Sequence, residues 1–249
     1  MLSVKRVGWD VVKYWSGTPA NWCPRIQTMK MNQVFMTRLF AGLFFIALTV
    51  FGSVATQADQ HDRQVAKLSA NDRADIKRIE TYLNDLTTLS ARFLQVSSTG
   101  SYAEGRLYIS RPGLMRIDYA PPAKIQIVAD GETLIYHDKE LEQVSRIDLA
   151  DTPANVLLQK NIRFTRGPLR VRNVSRSPGI IRLNVIKQDD PQEGTVTLVF
   201  SDRPLTLKKW TITDAQGIIT TVSLLRSRFS ITIDPKIFKF KDPDYEFFQ

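Results

Sequence analysis

The sequence predicts a mainly β protein of the α+β class: an incomplete, half-open antiparallel β-barrel with an α-helical lid over an apolar cavity. Three observations predict this fold. About ten segments alternate apolar and polar residues with a period of two, and turn residues separate them. A sheet of so many antiparallel strands curls and encloses volume. Only one long and one short helix are predicted to cover its open side, which leaves room inside.

The first element is an N-terminal segment that predicts export. Residues 39–51 form an uncharged apolar run after Lys30 and Arg38, and small residues follow it. This order is typical of a secretory signal peptide. A membrane anchor is the alternative, but the run is shorter than the roughly 20 residues that span a bilayer. We expect cleavage after Ala55 or Ala58.

The export signal divides the chain into four predicted parts. They are an over-long start or unstructured extension at 1–35, the signal peptide at 36–58, a polar tether at 59–70 and a single domain at 71–249. Residues 1–58 hold six Lys or Arg and one Asp, so their removal changes the chain's 34 basic and 25 acidic residues to 28 and 24. The remaining net charge of +4 is modest and does not predict a nucleic-acid partner. Cys23, the only cysteine, is also removed, which excludes disulfides and thiolate catalysis.

The domain is predicted to begin with a helix over 71–95. Its apolar residues recur at three- and four-residue steps with charged residues opposite them: Ile76, Ile79, Leu83, Leu86 and Phe93. Ser69 or Asn71 can cap the first turn. The stripe predicts a helix that packs its apolar side on the sheet.

From Phe93 onward the apolar period becomes two, which predicts strands. Leu107 and Ile109 share one face, and so do Met115 and Ile117. Eight later runs are β-like as well: "ETLIYHD", "LEQVSRIDL", "LRVRNVS", "IIRLNVIK", "TVTLVFS", "PLTLKKWTITD", "IITTVSLLRSRF" and "IFKFKDP". The run "DTPANVLLQK" at 151–160 predicts a short helix that begins at its proline. The expected order is therefore one helix, about five strands, a short helix and about six strands.

The residue pattern does not predict an enzyme. No serine lies in a GxSxG elbow, no glycine-rich loop opens a helix, and no histidines have ligand spacing, so neither a metal site nor a cofactor is expected. His137 is expected to be a half-exposed strand residue. An envelope hydrolase that uses His137 and Asp138 is an alternative of a different class, but it lacks an identifiable nucleophile.

Four short motifs follow one another along the predicted domain. They are "F-x-Q" at 93–95, "E-G-x-L-x-x-x-R-P-G-x-x-R" at 104–116, "V-A-D-G-x-x-L" at 128–134 and "T-P-A" at 152–154, with apolar residues after it. In this order and spacing, the stretch from 72 to 240 resembles the LolA-type outer-membrane lipoprotein carrier family. The resemblance implies the same half-barrel with a helical lid.

The resemblance also implies a function and partners. The protein would be a periplasmic chaperone that binds the acyl chains of lipoproteins in its apolar cavity. It would take them from an inner-membrane ABC-type release complex and carry them to an outer-membrane acceptor, as a monomer. The alternative on the same fold is an envelope sensor or regulator that binds lipids or lipoproteins.

The resemblance implies a role for Arg111 as the latch of the lid, through hydrogen bonds to main-chain carbonyls near 155–158, and for Pro112 in fixing the turn that aims it. An exposed turn arginine is the alternative. Leu114 and Met115 are placed at the mouth of the cavity. The wider set of expected cavity residues, which are otherwise ordinary core, is Leu83, Leu86, Leu107, Ile109, Ile117, Ile127, Val156 and Leu157.

Overall fold

The computed structural model describes residues 68–242. The predicted extension, the signal peptide with its cleavage site, and nearly all of the tether lie outside the described residues. The described residues belong to one compact unit. The boundaries of the domain stay a prediction.

The first helix, α1, spans Ala70–Asp85 and is capped by Ser69. The Ser69 hydroxyl accepts from the Asp72 backbone N–H at 3.1 Å, and the Asp72 carboxylate accepts from the Ser69 N–H at 2.8 Å. This reciprocal capping box satisfies donors that a helix start leaves free. The apolar side of α1 is buried as predicted.

Helix α1 ends about ten residues before the predicted end at 95. Leu86 is its C-cap, and Phe93 lies in a strand that begins at Thr88. The β-branched pair Thr87 and Thr88 favours extended backbone, and both neighbouring strands of the sheet pair with this segment. Tertiary pairing therefore overrides the apparent helical stripe here.

Eleven strands form a single antiparallel sheet. Their bounds are β1 Thr88–Ser97, β2 Tyr102–Ser110, β3 Leu114–Tyr119, β4 Ile125–Asp130, β5 Thr133–Asp138, β6 Gln143–Asp148, β7 Leu169–Ser177, β8 Ile180–Lys187, β9 Gly194–Ser201, β10 Thr206–Asp214 and β11 Ile219–Phe229. The spatial order is β6-β5-β4-β3-β2-β1-β11-β10-β9-β8-β7. Strand β1 is central, and β6 and β7 are the unpaired edges of the open sheet.

The chain runs directly from one edge of the sheet to the other. Residues 149–168 connect β6 to β7 and contain a 3-10 helix, Leu149–Asp151, and a short helix α2, Asn155–Leu158. Six strands precede this connection and five follow it, where about five and six were expected. Its buried side chains, such as Ile162 and Phe164, belong to the same core cluster as those of α1. We call 149–168 the lid segment.

Helix α1 and the lid segment both pack on one face of the sheet, which we call the concave face. The prediction of a mainly β, half-open antiparallel fold with few helices is thus confirmed.

The predicted strand "IFKFKDP" is wrong, because it contains the end of a 3-10 helix, Pro235–Phe238, and the irregular backbone after it. Asp234 caps that helix through the Lys236 N–H at 2.9 Å, and Pro235 suits its first turn.

The C-terminal residues 230–242 cross the opposite, convex face, and we call them the C-terminal strap. The strap is bonded to β1, where the Thr88 hydroxyl donates to the Ile231 carbonyl at 2.7 Å. At β5, the rings of Phe240 and His137 meet edge to face with centroids 5.5 Å apart. His137 is therefore only 8% exposed, not half-exposed as predicted, because the strap covers it.

Candidate functional site

The candidate site lies at the turn between β2 and β3, where Arg111 bonds to both elements that cover the concave face. Its Nη1 donates to the Leu86 carbonyl, just after α1, at 3.3 Å. Its Nη2 donates to the Gln159 carbonyl, just after α2, at 2.5 Å, and lies 3.5 Å from the Asn84 Oδ1. One guanidinium therefore joins the ends of two helices, where carbonyls lack partners within the helix.

The backbone of the same turn makes two further bonds, one of them to the lid segment. The Arg111 N–H donates to the Thr87 carbonyl at 2.8 Å, and the Gly113 N–H donates to the Leu158 carbonyl at 2.9 Å. Gly113 has φ +79°, and a Cβ there would lie 2.7 Å from the Cα of Gly131. The glycine after "RP" is thus required for this close approach.

The carbonyls that Arg111 contacts differ slightly from the predicted range of 155–158. The Leu158 carbonyl is taken by the Gly113 backbone, so the guanidinium bonds to Gln159 instead. Pro112 is exposed in the turn itself. The role of Arg111 as a latch stays a prediction, while its position between the two cover elements is a property of the structure.

Asn84, which the sequence does not single out, is a second connection between the cover elements. Its Nδ2 donates to the Ile162 carbonyl at 3.0 Å, and its Oδ1 accepts from the Ile162 N–H at 2.9 Å. The last turn of α1 is thereby fastened to the lid segment by a pair of bonds. The sequence around Asn84 does not indicate this contact, because Ile162 lies 78 positions away. We call Arg111, Gly113, Asn84 and their bonded carbonyls the Arg111 cluster.

The bonding of the Arg111 cluster is incomplete. Among the described residues, Nε of Arg111 and Nε2 of Gln159 are buried without a hydrogen-bond partner. An unpaired buried donor costs about 1–3 kcal/mol. Burial lowers the pKa of Arg111, although a guanidinium keeps its charge at neutral pH. The closed cover is therefore held by charged hydrogen bonds but also carries a penalty.

The concave face brings together nearly all of the apolar residues predicted for a cavity. Leu83, Leu86, Leu107, Ile109, Met115, Ile117, Ile127, Val156 and Leu157 are all buried in the main core cluster. Leu114 is the exception and its predicted place at the cavity mouth is wrong. Strand alternation puts it on the convex face with Arg116, one residue from the inward Met115.

Little space remains between the lid segment and the sheet. The gap between the lid segment and the sheet has a volume of about 10 Å³ and is lined by Ile109, Met115, Pro153, Ala154, Leu157, Val196, Leu198 and Trp210. Roughly 10–15 Å³ is needed to hold one water molecule. At this gap Pro153, Ala154 and Leu157 of the lid segment pack directly on the sheet, so the lid segment is closed here.

A polar pair lies on the same concave face, farther along β1 and β3. The Tyr119 hydroxyl donates to the Gln95 Oε1 at 2.9 Å, and the ring of Tyr119 meets Phe93 edge to face at 5.2 Å. Burial raises the pKa of Tyr119, so its hydroxyl stays protonated at neutral pH.

Within residues 68–242, no group of His, Cys, Asp and Glu side chains could hold a metal ion. No helix in the same range has the length and apolar character needed to cross a membrane.

Fold and site define a class: an open antiparallel sheet whose apolar face is covered by a helix and a lid segment, which Arg111 and Asn84 join. The family model for "Outer membrane lipoprotein carrier protein LolA" matches residues 84–241. The chain belongs to the LolA family.

The chain is also similar to two named lipoprotein carriers and to one uncharacterized protein. An outer-membrane lipoprotein carrier protein of Alkalilimnicola ehrlichii is 31% identical over 69% of this chain and 80% of its own length. One of Methylococcus capsulatus is 27% identical over 67% of this chain and 83% of its own length. An uncharacterized protein of Rickettsia prowazekii is 25% identical over 72% of this chain and 82% of its own length.

Proposed function

We propose that the chain is a periplasmic chaperone that binds the acyl chains of lipoproteins between its concave face and its lid segment. It takes them from an inner-membrane ABC-type release complex and carries them to an outer-membrane acceptor. Membership of the LolA family and the names of the relatives support this proposal. The single observation that carries it is the Arg111 guanidinium, which joins both cover elements over an apolar face.

A carrier is needed because acyl chains are costly to expose to water. Each methylene group transferred out of water gains about 0.8 kcal/mol. Ten methylenes that enter the concave face thus gain about 8 kcal/mol. A gain of this size can displace packed side chains, so the closed form is compatible with binding.

Binding requires the lid segment to move, because the gap beneath it is too small for an acyl chain. Lifting it removes Val156, Leu157 and Leu158 from the core, at about 1.5–3 kcal/mol for each side chain left in water. The incoming acyl chain covers the same apolar surface, including Ile109 and Met115. The contacts of the acyl chain with the sheet replace those of the lid segment, so the net free energy of binding stays small. A small free energy of binding suits a carrier that must also release its cargo.

Arg111 sets the balance between the closed and open forms in this proposal. A hydrogen bond from a charged donor contributes about 1.5–3 kcal/mol. The bonds to Leu86 and Gln159 therefore bias the lid segment towards closure but do not lock it. The two unpaired buried donors at Arg111 and Gln159 work in the opposite direction.

The proposed location follows from the N-terminal sequence and the family. The signal peptide is removed near Ala55 or Ala58, and the rest of the chain acts as a monomer in the periplasm. Mass spectrometry of the protein purified from the periplasm under native conditions tests the proposal. We expect co-purified diacylated or triacylated proteins, and fewer of them with Arg111→Leu. A fully occupied protein that carries only polar molecules would contradict the proposal.

A further inference from the structure

A second recess lies on the convex face, where the C-terminal strap crosses the central strands. It is a groove of about 440 Å³ between strap residues 231–237 and strands β1, β2, β3 and β11. Ser90, Tyr108, Arg116 and Arg228 form its floor, and the strand register places them side by side. Its volume lies within the range of roughly 300–1,000 Å³ that is usual for ligand pockets. The sheet separates this groove from the lid segment.

The charges around the groove leave two arginines without a partner. Arg228 lines it and Arg106 lies in the next row of the same face, and both are exposed without an ion pair or side-chain hydrogen bond among residues 68–242. The carboxylate of Asp118, the cross-strand neighbour of Arg106, already accepts from Arg116 at 2.7 Å and from Gln126 at 2.8 Å. Asp234, the other carboxylate that lines the groove, caps the 3-10 helix through the Lys236 N–H and has no salt bridge to Arg228 among residues 68–242. Arg228 in the groove and Arg106 beside it are thus the two positive charges that an added carboxylate could pair with.

A like-charge pair strengthens this conclusion. Arg92 on β1 stands directly opposite Arg106 on β2. Like charges in this position destabilise a sheet. Arg92 has only a long contact of 3.4 Å with Glu104, in which both side chains are about half exposed. A carboxylate placed beside the two arginines would relieve the repulsion.

Exposed apolar residues continue the same surface beyond the arginines. Leu225 is the cross-strand neighbour of Arg92 and is 45% exposed. Leu94 and Val96 follow on the outward side of β1 and are 37% and 44% exposed. Isoleucines of the strap line the opposite side of the groove. We call the groove with these neighbouring residues the convex surface.

We propose that the convex surface docks an acidic, partly apolar segment of a partner protein. The unpaired arginines match carboxylates, and the leucines and isoleucines match apolar side chains between them. Half-buried Arg116 and Asp118 form a recessed floor, which an inserted side chain can reach and a flat bilayer cannot. Because cargo would bind on the other face of the sheet, docking on the convex surface does not depend on the proposed function.

The test uses the full chain and a labelled decapeptide of alternating glutamate and leucine. Its binding is measured by fluorescence anisotropy at physiological ionic strength. The double variant Arg106→Glu/Arg228→Glu is expected to weaken binding about tenfold or more. The matched control is Lys77→Glu/Arg172→Glu, which reverses two exposed charges on α1 and β7 and should change binding less than about twofold.

Two further measurements locate the contact. On addition of the peptide, the backbone amide NMR signals of Ile231 and Ile237 should shift, and those of the lid segment should not. A lysine–leucine decapeptide should not bind. Absence of peptide binding, equal weakening in both double variants, or unshifted Ile231 and Ile237 signals would overturn the proposal. So would binding of phosphatidylglycerol vesicles, but not the peptide, through Arg106 and Arg228.

Discussion

At the scale of single residues, the geometry of Arg111 explains why an arginine follows β2 so abruptly. The turn at 111–113 brings a side-chain donor and a backbone donor to consecutive carbonyls at the end of α2, those of Gln159 and Leu158. A lysine has one compact donor group and could not also reach the Leu86 carbonyl on the other side. The arginine therefore couples α1 to the lid segment.

Replacing Arg111 by leucine is expected to increase opening of the lid segment while the sheet stays intact. Loss of charged hydrogen bonds worth about 1.5–3 kcal/mol each makes opening roughly 10- to 100-fold more frequent. Native-state hydrogen exchange at the Ile162 and Gly113 amides measures it, because both amides are bonded across the cover. Arg172→Leu is the control. Equal exchange at Ile162 in the two variants would refute the latch.

Asn84 allows a finer test of the same contact. Asn84→Ala removes both bonds to Ile162, and we expect the free energy of unfolding to fall by about 1–2 kcal/mol. Lys77→Ala, on the exposed side of α1, is the matched control and should change the free energy of unfolding by less than about 0.5 kcal/mol. Chemical denaturation measures both. Equal destabilisation by Asn84→Ala and Lys77→Ala would show that the two bonds to Ile162 are not the cause.

At the scale of elements, α1 and the lid segment are fastened differently. The N-terminal half of α1 is tied to β7, where Arg176 donates to Asp72 and to Asp75, each at 2.7 Å. Arg78 adds bonds to Asp75 and to Asp202, before β10. The lid segment has no salt bridge to α1 among the described residues, and hydrogen bonds tie it there instead: those of Asn84 to Ile162 and one from the Phe164 N–H to the Glu80 carboxylate at 2.6 Å. Its salt-bridge contact, between Asp151 and Lys187, is 3.6 Å long. We therefore expect the lid segment, and not α1, to move.

The tie at the start of α1 predicts a dependence on pH. A hydrogen bond from the Ser69 hydroxyl, and then one from Arg176, lower the pKa of Asp72. Its stabilising contribution is thus complete above the unfolded pKa of about 3.9 and is lost as the pH falls through the lower folded pKa. The stability difference between the natural chain and Asp72→Asn should shrink below about pH 4. A difference in melting temperature that stays constant from pH 6 to strongly acidic pH would contradict the assignment.

The C-terminal strap predicts a second dependence on pH, at milder acidity. Burial lowers the pKa of His137, and Lys139 lowers it further, whereas Asp138 and Asp242 oppose the shift. The contact of neutral His137 with Phe240 is complete above the unfolded pKa of about 6.5 and is lost as the pH falls through the lower folded pKa.

The NMR signals of the Phe240 ring report on this contact. They should move towards the values of an exposed ring as the pH falls below about 6.5, and should stay constant in His137→Phe. Transfer of cargo should be unchanged in His137→Ala, since His137 lies on the convex face. Movement of the Phe240 signals with pH in His137→Phe would assign the effect to another group.

At the scale of the whole molecule, one sheet separates two surfaces with different chemistry. The concave face is apolar and closed by the Arg111 cluster, and the convex face is polar and partly covered by the strap. This division follows from strand alternation, in which Met115 and Ile117 point one way and Arg116 the other. Cargo and partner proteins can therefore be bound on opposite sides.

The same alternation explains how far the sequence predicts the structure. Strands such as "IIRLNVIK" and "TVTLVFS" are confirmed, because the alternation of apolar and polar residues along them follows the alternation of buried and exposed sides of the sheet. The role of Asn84 and the strap over His137 could not be predicted, because their contacts join distant parts of the chain. The small size of the gap beneath the lid segment was also beyond prediction. A pattern shows which residues face inward, but the remaining space depends on how their volumes fit.

The most direct test of the central claim, that acyl chains replace the lid segment on the concave face, uses the fluorescence of Trp210. This residue lines the gap beneath the lid segment and is the only tryptophan after residue 58. We predict that a diacylated lipopeptide with brominated acyl chains quenches Trp210 saturably, that its unbrominated form does not, and that Trp210→Phe removes the quenching. A lipopeptide that binds and leaves Trp210 fluorescence unchanged, or that does not bind, would contradict the account.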